Sequence, residues 1–187
     1  MDHAGRTAVP ARARERRASW HDCPIGSSGP PGDLHAFWRG LRGGAYKPPS
    51  RLIIEFGSSE DSFFESQTGL LVFRPRSLSN GLGGALVELA HEYGHAVQGH
   101  ELLEKLDRHR VAMEAHADCF AGLWLGNALA RGKVTDDEVE EARQAIRETG
   151  GSPAHPTPTN RLIWFLNGLN AKPGHPPFET CPLPAGP

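Results

Sequence analysis

The stretch His91-Glu92-Tyr93-Gly94-His95 constrains this chain more than any other, because it falls inside a helical pattern and so dictates what that helix must face. From about Leu82 the apolar positions Leu82, Ala85, Leu86, Leu89, Ala90 and Val97 recur at helical spacing, and Gly99 is placed to stop the helix. Two histidines four residues apart project from one helix face, about one turn from each other, so both rings can reach a single metal ion. Glu92, next to the first of them, stands where a carboxylate can act as general base toward water activated by that metal. With 10 His in 187 residues, a shuffled chain of this composition yields the HExxH pattern only about 0.04 times, so chance explains it poorly.

Two histidines do not complete a catalytic zinc site, which takes three protein ligands and an open position. The metzincin pattern requires Gly at position 98 and His at position 101, where this chain has Gln98 and Glu101; Gly99 and His100 are out of register. Nor does a downstream methionine suit a Met-turn, since the two methionines are Met1 and Met113. Further on, Glu114-Ala115-His116-Ala117-Asp118 places two carboxylates at i,i+4 spacing, with 18 residues between His95 and Glu114, room for a turn and a second helix. Glu114 is the candidate third ligand. Asp118, one turn on, can accept a hydrogen bond from the outer nitrogen of a zinc histidine and fix its tautomer. Shuffling gives about 0.6 ExxxD pairs per chain, so the pair takes its weight from its place one loop after HExxH in an otherwise apolar helix, where a buried carboxylate needs a partner.

Proline and arginine mark the ends. Residues 1–31 hold four prolines and Arg6, Arg12, Arg14, Arg16 and Arg17, and residues 172–187 hold six more of the 16 prolines. The reading is a disordered arm over 1–31, one domain over 32–170 and a Pro-rich tail over 171–187. Within the domain, Asp33 is placed to cap a short helix whose Leu34, Phe37, Trp38 and Leu41 share a face, closed by Lys47-Pro48-Pro49. Arg51 to Phe56 and Gly69 to Phe73 read as two strands, able to form a small antiparallel sheet around a polar loop. Helical patterns follow over Arg110 to Ala130, from the capping box Thr135 to Glu138 as far as Gly150-Gly151, and over 160–169. Helices beside a small sheet make an α+β domain.

HEYGHAVQ at 91–98 followed by EAHADCFAGLW at 114–124 resembles a bacterial family of neutral zinc metallopeptidases, a gluzincin-type group. The later His155-Pro156-Thr157, Arg161 and Trp164-Phe165 resemble that family's closing motif, and are similar to the corresponding stretch of HtpX-like and CAAX prenyl endopeptidases. The resemblance spans roughly residues 34–170, with distinctive motifs at 91–98, 114–124 and 155–165. It implies a minimal zincin core with the active-site helix and the glutamate helix packed across a small twisted sheet. It also implies His91, His95 and Glu114 as ligands of one Zn2+, Glu92 as base and Asp118 as support. Members of that family often carry an N-terminal membrane anchor and a cysteine-containing segment before the edge strand; here stand an Arg-rich stretch and the cysteine-free SSEDSFFESQTG.

The expectation is therefore a zinc-dependent endopeptidase acting on a peptide or protein substrate. His155 is placed to stabilise the oxyanion and Arg161 to orient it or the substrate. The competing readings are a zinc-binding module that recognises a peptide without cleaving it, and a helical α+β protein in which HExxH is accidental. Tyr93 is read as packing under the helix, and His100 and His116 as surface or core residues rather than ligands. Gly69 to Phe73 is either an edge strand for an extended peptide or a core strand. Cys119 reads as a small buried hydrophobe, while Cys23 and Cys181, in opposite tails, can pair only if the tails meet. A formal charge of -2 argues against a dedicated nucleic-acid binder. No stretch has the length of a membrane span or the form of a secretion signal, so the chain as written reads as cytoplasmic.

Overall fold

A computed structural model of the chain describes residues 29–41, 49–56, 60–75, 81–105, 110–149, 155–172 and 176–182, with backbone only at 41 and over 100–105. Residues 1–28 of the arm read over 1–31, with Cys23 among them, Lys47-Pro48, the His100 and Glu101 side chains and Gly150-Gly151 lie outside the described residues, while Pro30 and Pro31 of that arm belong to the first helix. Along the chain come α1 (Pro30–Leu41), β1 (Arg51–Ile54), β2 (Phe63–Glu65), β3 (Leu70–Phe73), α2 (Gly81–Lys105), α3 (Arg110–Ala130), α4 (Asp136–Glu148), α5 (Pro158–Leu169) and the single turn α6 (Pro177–Thr180). This is a mostly helical α+β arrangement.

The core is centred on α3, which is buried almost all round from Met113 to Leu125, as a helix with apolar residues on every face must be. It lies against α2 on one side and α5 on another, while α4 covers α2. From α1, Leu34 and Trp38 are fully buried, and Trp38 meets Phe120 edge-on at 5.0 Å between ring centroids. Asp33 does not cap α1, which begins three residues earlier at Pro30. Its carboxylate instead accepts hydrogen bonds from Trp124 Nε1 at 3.2 Å and from both terminal nitrogens of Arg131, tying α1 to α3.

The sheet corrects the antiparallel expectation. Its order is β1-β3-β2, with β1 parallel to β3 and β2 antiparallel to it. The polar stretch read as a loop contains a third strand, Phe63–Glu65, which turns directly into β3. That extra reversal makes β1 and β3 run the same way. It also makes β3 the central strand, with Leu71, Val72 and Phe73 buried, so the edge positions belong to β1 and β2.

Gly99 stops the helix where expected: its backbone, at φ 74 and ψ 161, is non-helical, and a second helical segment continues α2 from there to Lys105; positive φ of this kind is accessible to glycine at little cost. The capping box of α4 is present in full, Thr135 accepting from the Glu138 N–H and Glu138 from the Thr135 N–H.

The cysteine reading is corrected as well: Cys119 and Cys181 form a disulfide. The turn α6 folds back over α3, so Cys181, fully buried, meets Cys119 and not Cys23. His116, Phe120 and Phe178 stack around the junction, with His116 and Phe120 ring centroids 4.2 Å apart.

Candidate metal centre

His91 and His95 project from α2 toward the first turns of α3, one helical turn apart, their rings perpendicular at 4.8 Å between centroids. What lets the two helices meet closely enough is Gly94 between them. A Cβ there would lie 3.0 Å from the Ala117 Cα, so the absent side chain is what gives Ala117 its place. With α3 so close, Glu114 faces both histidines. Its Oε2 is 3.0 Å from His91 Nε2 and 3.6 Å from His95 Nε2, and the two Nε2 atoms are 3.2 Å apart. These three buried or half-buried residues form a group that can hold a metal ion, the one such group among the described residues.

Each histidine is fixed from behind. His91 Nδ1 lies 2.9 Å from Asp118 Oδ1, and Asp118 is itself gripped by Arg161, whose Nε and Nη2 donate to its two oxygens at 2.8 and 2.7 Å. The remaining arm of the fork, Nη1, donates to Thr149 Oγ1. Asp118 is 1% exposed, and a carboxylate that deep is stable as an anion only with such partners. Burial works against its charge, and the Arg161 and His91 contacts overcome that and hold its pKa below the usual carboxylate range. His95 Nδ1 is 2.9 Å from Gln98 Oε1.

Both outer nitrogens thus face oxygen acceptors, which leaves both Nε2 lone pairs directed at the space beside Glu114. Without a metal, a proton fills that role. Burial opposes a charged His91, but Asp118 and Glu114 together push its pKa up to about 10. Glu114 is held far below the ordinary carboxylate range by hydrogen bonds from both histidines, against the opposing effect of burial. Glu92 behaves in the opposite sense: burial raises its pKa, while the charges of His95 and His91 pull it down.

Of the other predicted residues, His155 stands at the rim, 43% exposed at its side chain, with Nε2 3.4 Å from Glu114 Oε2. Arg161 directs its donors to Asp118 and Thr149. Tyr93 is fully buried, and His116 is buried in the core away from the ligand group.

Sequence reasoning passed over Gln98, noted there only as the wrong residue for another ligand pattern. The signal was present, since residues three apart on a helix are neighbours and Gln98 follows His95 by three.

The chain matches no protein-family model and, at a significant level, no solved structure. Two relatives are similar over part of their length: the uncharacterized protein YpfJ of Escherichia coli strain K12 and its counterpart in strain O6:H1, each 29% identical over 110 residues. The match covers 44% of this chain and 38% of each relative, so the chain spans well under half the length of the curated proteins it resembles. Their names assign no activity. Among the described residues no helix is long and apolar enough to cross a membrane.

Proposed function

We propose that this domain is a zinc-dependent endopeptidase with a minimal zincin-type core, its metal held by His91, His95 and Glu114. The observation that carries the reading is the spacing of the three donor atoms, 3.0, 3.2 and 3.6 Å. Tetrahedral coordination with bonds near 2.0–2.1 Å puts ligand atoms about 3.3 Å apart, and two imidazoles with one carboxylate are a donor set found in catalytic zinc sites. Three protein ligands also leave a fourth position for substrate or water. The motif likeness to neutral zinc metallopeptidases supports the same reading, although no family match accompanies it.

A bound zinc ion supplies Lewis acidity to water and to the scissile carbonyl. The chain's own residues do the rest. Glu92, its pKa raised by burial, takes a proton from the attacking water and delivers it to the leaving amine. His155, at the exposed rim beside Glu114, donates to the developing oxyanion. Asp118, locked by Arg161, keeps the His91 Nδ1 protonated so that Nε2 faces the metal.

Metal content and chelator-sensitive hydrolysis of casein test this directly. Purified wild type is expected to carry close to one zinc per chain, Glu114→Ala to lose most of it, and Glu92→Gln to keep zinc while losing cleavage. Full zinc retention in Glu114→Ala removes Glu114 from the ligand set, and cleavage surviving in Glu92→Gln removes the assigned base. Stoichiometric zinc with no cleavage of any substrate favours instead a non-cleaving peptide-binding module.

A further inference from the structure

We propose that Gln98 and His116 are positioning residues that select which nitrogen of His95 faces the metal, and that the C-terminal segment sets this selection through the backbone carbonyl of Cys181. The inference rests on the metal reading above and concerns residues that reading does not use.

The argument runs inward from Cys181. Its carbonyl oxygen, which can only accept, lies 2.7 Å from His116 Nε2, so that nitrogen carries the hydrogen. In a neutral ring His116 Nδ1 is then left as an acceptor. The Gln98 amide nitrogen lies 3.3 Å from it and 2.8 Å from the Met113 carbonyl oxygen, and both neighbours require an N–H donor at that position. Two independent acceptors therefore fix the amide the same way round, turning Oε1 toward His95 Nδ1 at 2.9 Å. Since Oε1 can only accept, His95 bears its hydrogen on Nδ1 and offers the Nε2 lone pair to the ligand group. A reversed amide would aim its NH2 at Nδ1 and move the ring hydrogen to Nε2, where it blocks coordination.

His91 needs no such arrangement, because a carboxylate, Asp118, presents an acceptor whichever oxygen faces the ring. A carboxamide has one accepting end, so its orientation has to be imposed. Gln98 is 5% exposed and His116 and Cys181 are fully buried, so the imposing groups are held within the core. The Cys119–Cys181 bond fastens the determining carbonyl to the helix that carries His116, three residues from Cys119.

The test is zinc affinity by competition with a chromophoric chelator, alongside metal-free thermal unfolding. Gln98→Leu is expected to bind zinc about 10–100-fold more weakly than wild type, the usual effect of losing a partner of a ligating imidazole. His116→Phe, which keeps an aromatic ring against Phe120 and Phe178, is expected to lose about tenfold while unfolding cooperatively without metal. Long-range proton–nitrogen spectra of the metal-free wild type at neutral pH are expected to show His116 as the neutral Nε2–H tautomer. Wild type that binds no zinc overturns the metal reading and this inference with it. Wild type that binds zinc no more tightly than Gln98→Leu, or a His116 found as the Nδ1–H tautomer, overturns this inference alone.

Discussion

A methyl group added at Gly94 would press on the Ala117 Cα at 3.0 Å and its carbonyl oxygen at 3.1 Å, backbone atoms that cannot rotate aside. Gly94→Ala should force α2 and α3 apart by a few tenths of an ångström. The expected result is a destabilisation of about 1–3 kcal/mol, as for other overpacked contacts, and weaker zinc binding because Glu114 retreats from the histidines. Denaturant titration and zinc competition read the two effects separately. Tyr93, beside it, presents the reverse case. Its hydroxyl is buried without a hydrogen-bond partner among the described residues, and the same burial pushes its pKa well above the ordinary phenol value. Tyr93→Phe should leave stability unchanged or raise it by about 1 kcal/mol, since a stranded polar group is removed without loss of the ring; a loss of 2 kcal/mol or more in chemical denaturation refutes that account. The cluster also fixes the pH response. In the metal-free fold His91 holds its proton up to about pH 10, well above its value in an unfolded chain, so its ion pair adds stability below about pH 6.5 that disappears as pH rises toward 10. Glu114, with a lowered pKa, adds stability above the normal carboxylate range that disappears as pH falls through and below it. The two statements describe one shared ion pair, so metal-free protein should be most stable between about pH 5 and 6.5. Zinc competes with the same protons, and its stabilising effect should therefore grow as pH rises. Melting curves with zinc and with chelator from pH 5 to pH 9 check both slopes, and a metal-free Tm that climbs above pH 6.5 contradicts the assignment.

Helices pack here through glycines as much as through large side chains, and two single substitutions separate the effects. Gly40 is exposed in the last turn of α1 with open space around it, so Gly40→Ala should stabilise by up to about 1 kcal/mol through helix propensity. Gly122 faces α5, and a Cβ there would sit 2.0 Å from the Phe165 carbonyl oxygen. Gly122→Ala should therefore destabilise severely, by several kcal/mol or to the point of not folding, read by circular dichroism and denaturant midpoint. The helices themselves were largely legible. The helix expected over roughly Arg110 to Ala130 is present because its apolar run is long, and the Thr135–Glu138 box announces α4 because it satisfies two orphan backbone donors locally. Sheet topology was not, because strand direction depends on a partner far away in sequence and β2 has only three residues to announce itself. The HExxH and ExxxD pairs were visible since a helix brings residues four apart together by its own geometry. The contacts that orient them were less so: Arg161 reaches Asp118 across 43 residues and His116 reaches Cys181 across 65, distances over which spacing carries no information.

At the scale of the molecule, the Cys119–Cys181 bond closes a loop with a sequence separation of 62. Restricting an unfolded chain over that length is worth about 4 kcal/mol by the chain-entropy argument. Cys119→Ala/Cys181→Ala should lower the denaturant midpoint accordingly, and equal midpoints for the two proteins refute the crosslink's contribution. Such bonds persist chiefly in oxidising surroundings, which weighs against the cytoplasmic reading of the sequence. Composition pointed away from this bond, since three scattered cysteines suggest no framework, and only the return of α6 onto α3 brings two of them together. The same bond decides what a single cut does to this protein. A protease that nicks the chain between Cys119 and Arg161 leaves two pieces still covalently joined through the disulfide, the first carrying His91, His95, Glu114 and Asp118, the second Arg161. Such a clipped molecule should migrate as one band on a non-reducing gel and as two once reduced, with its zinc ligands still on a single piece.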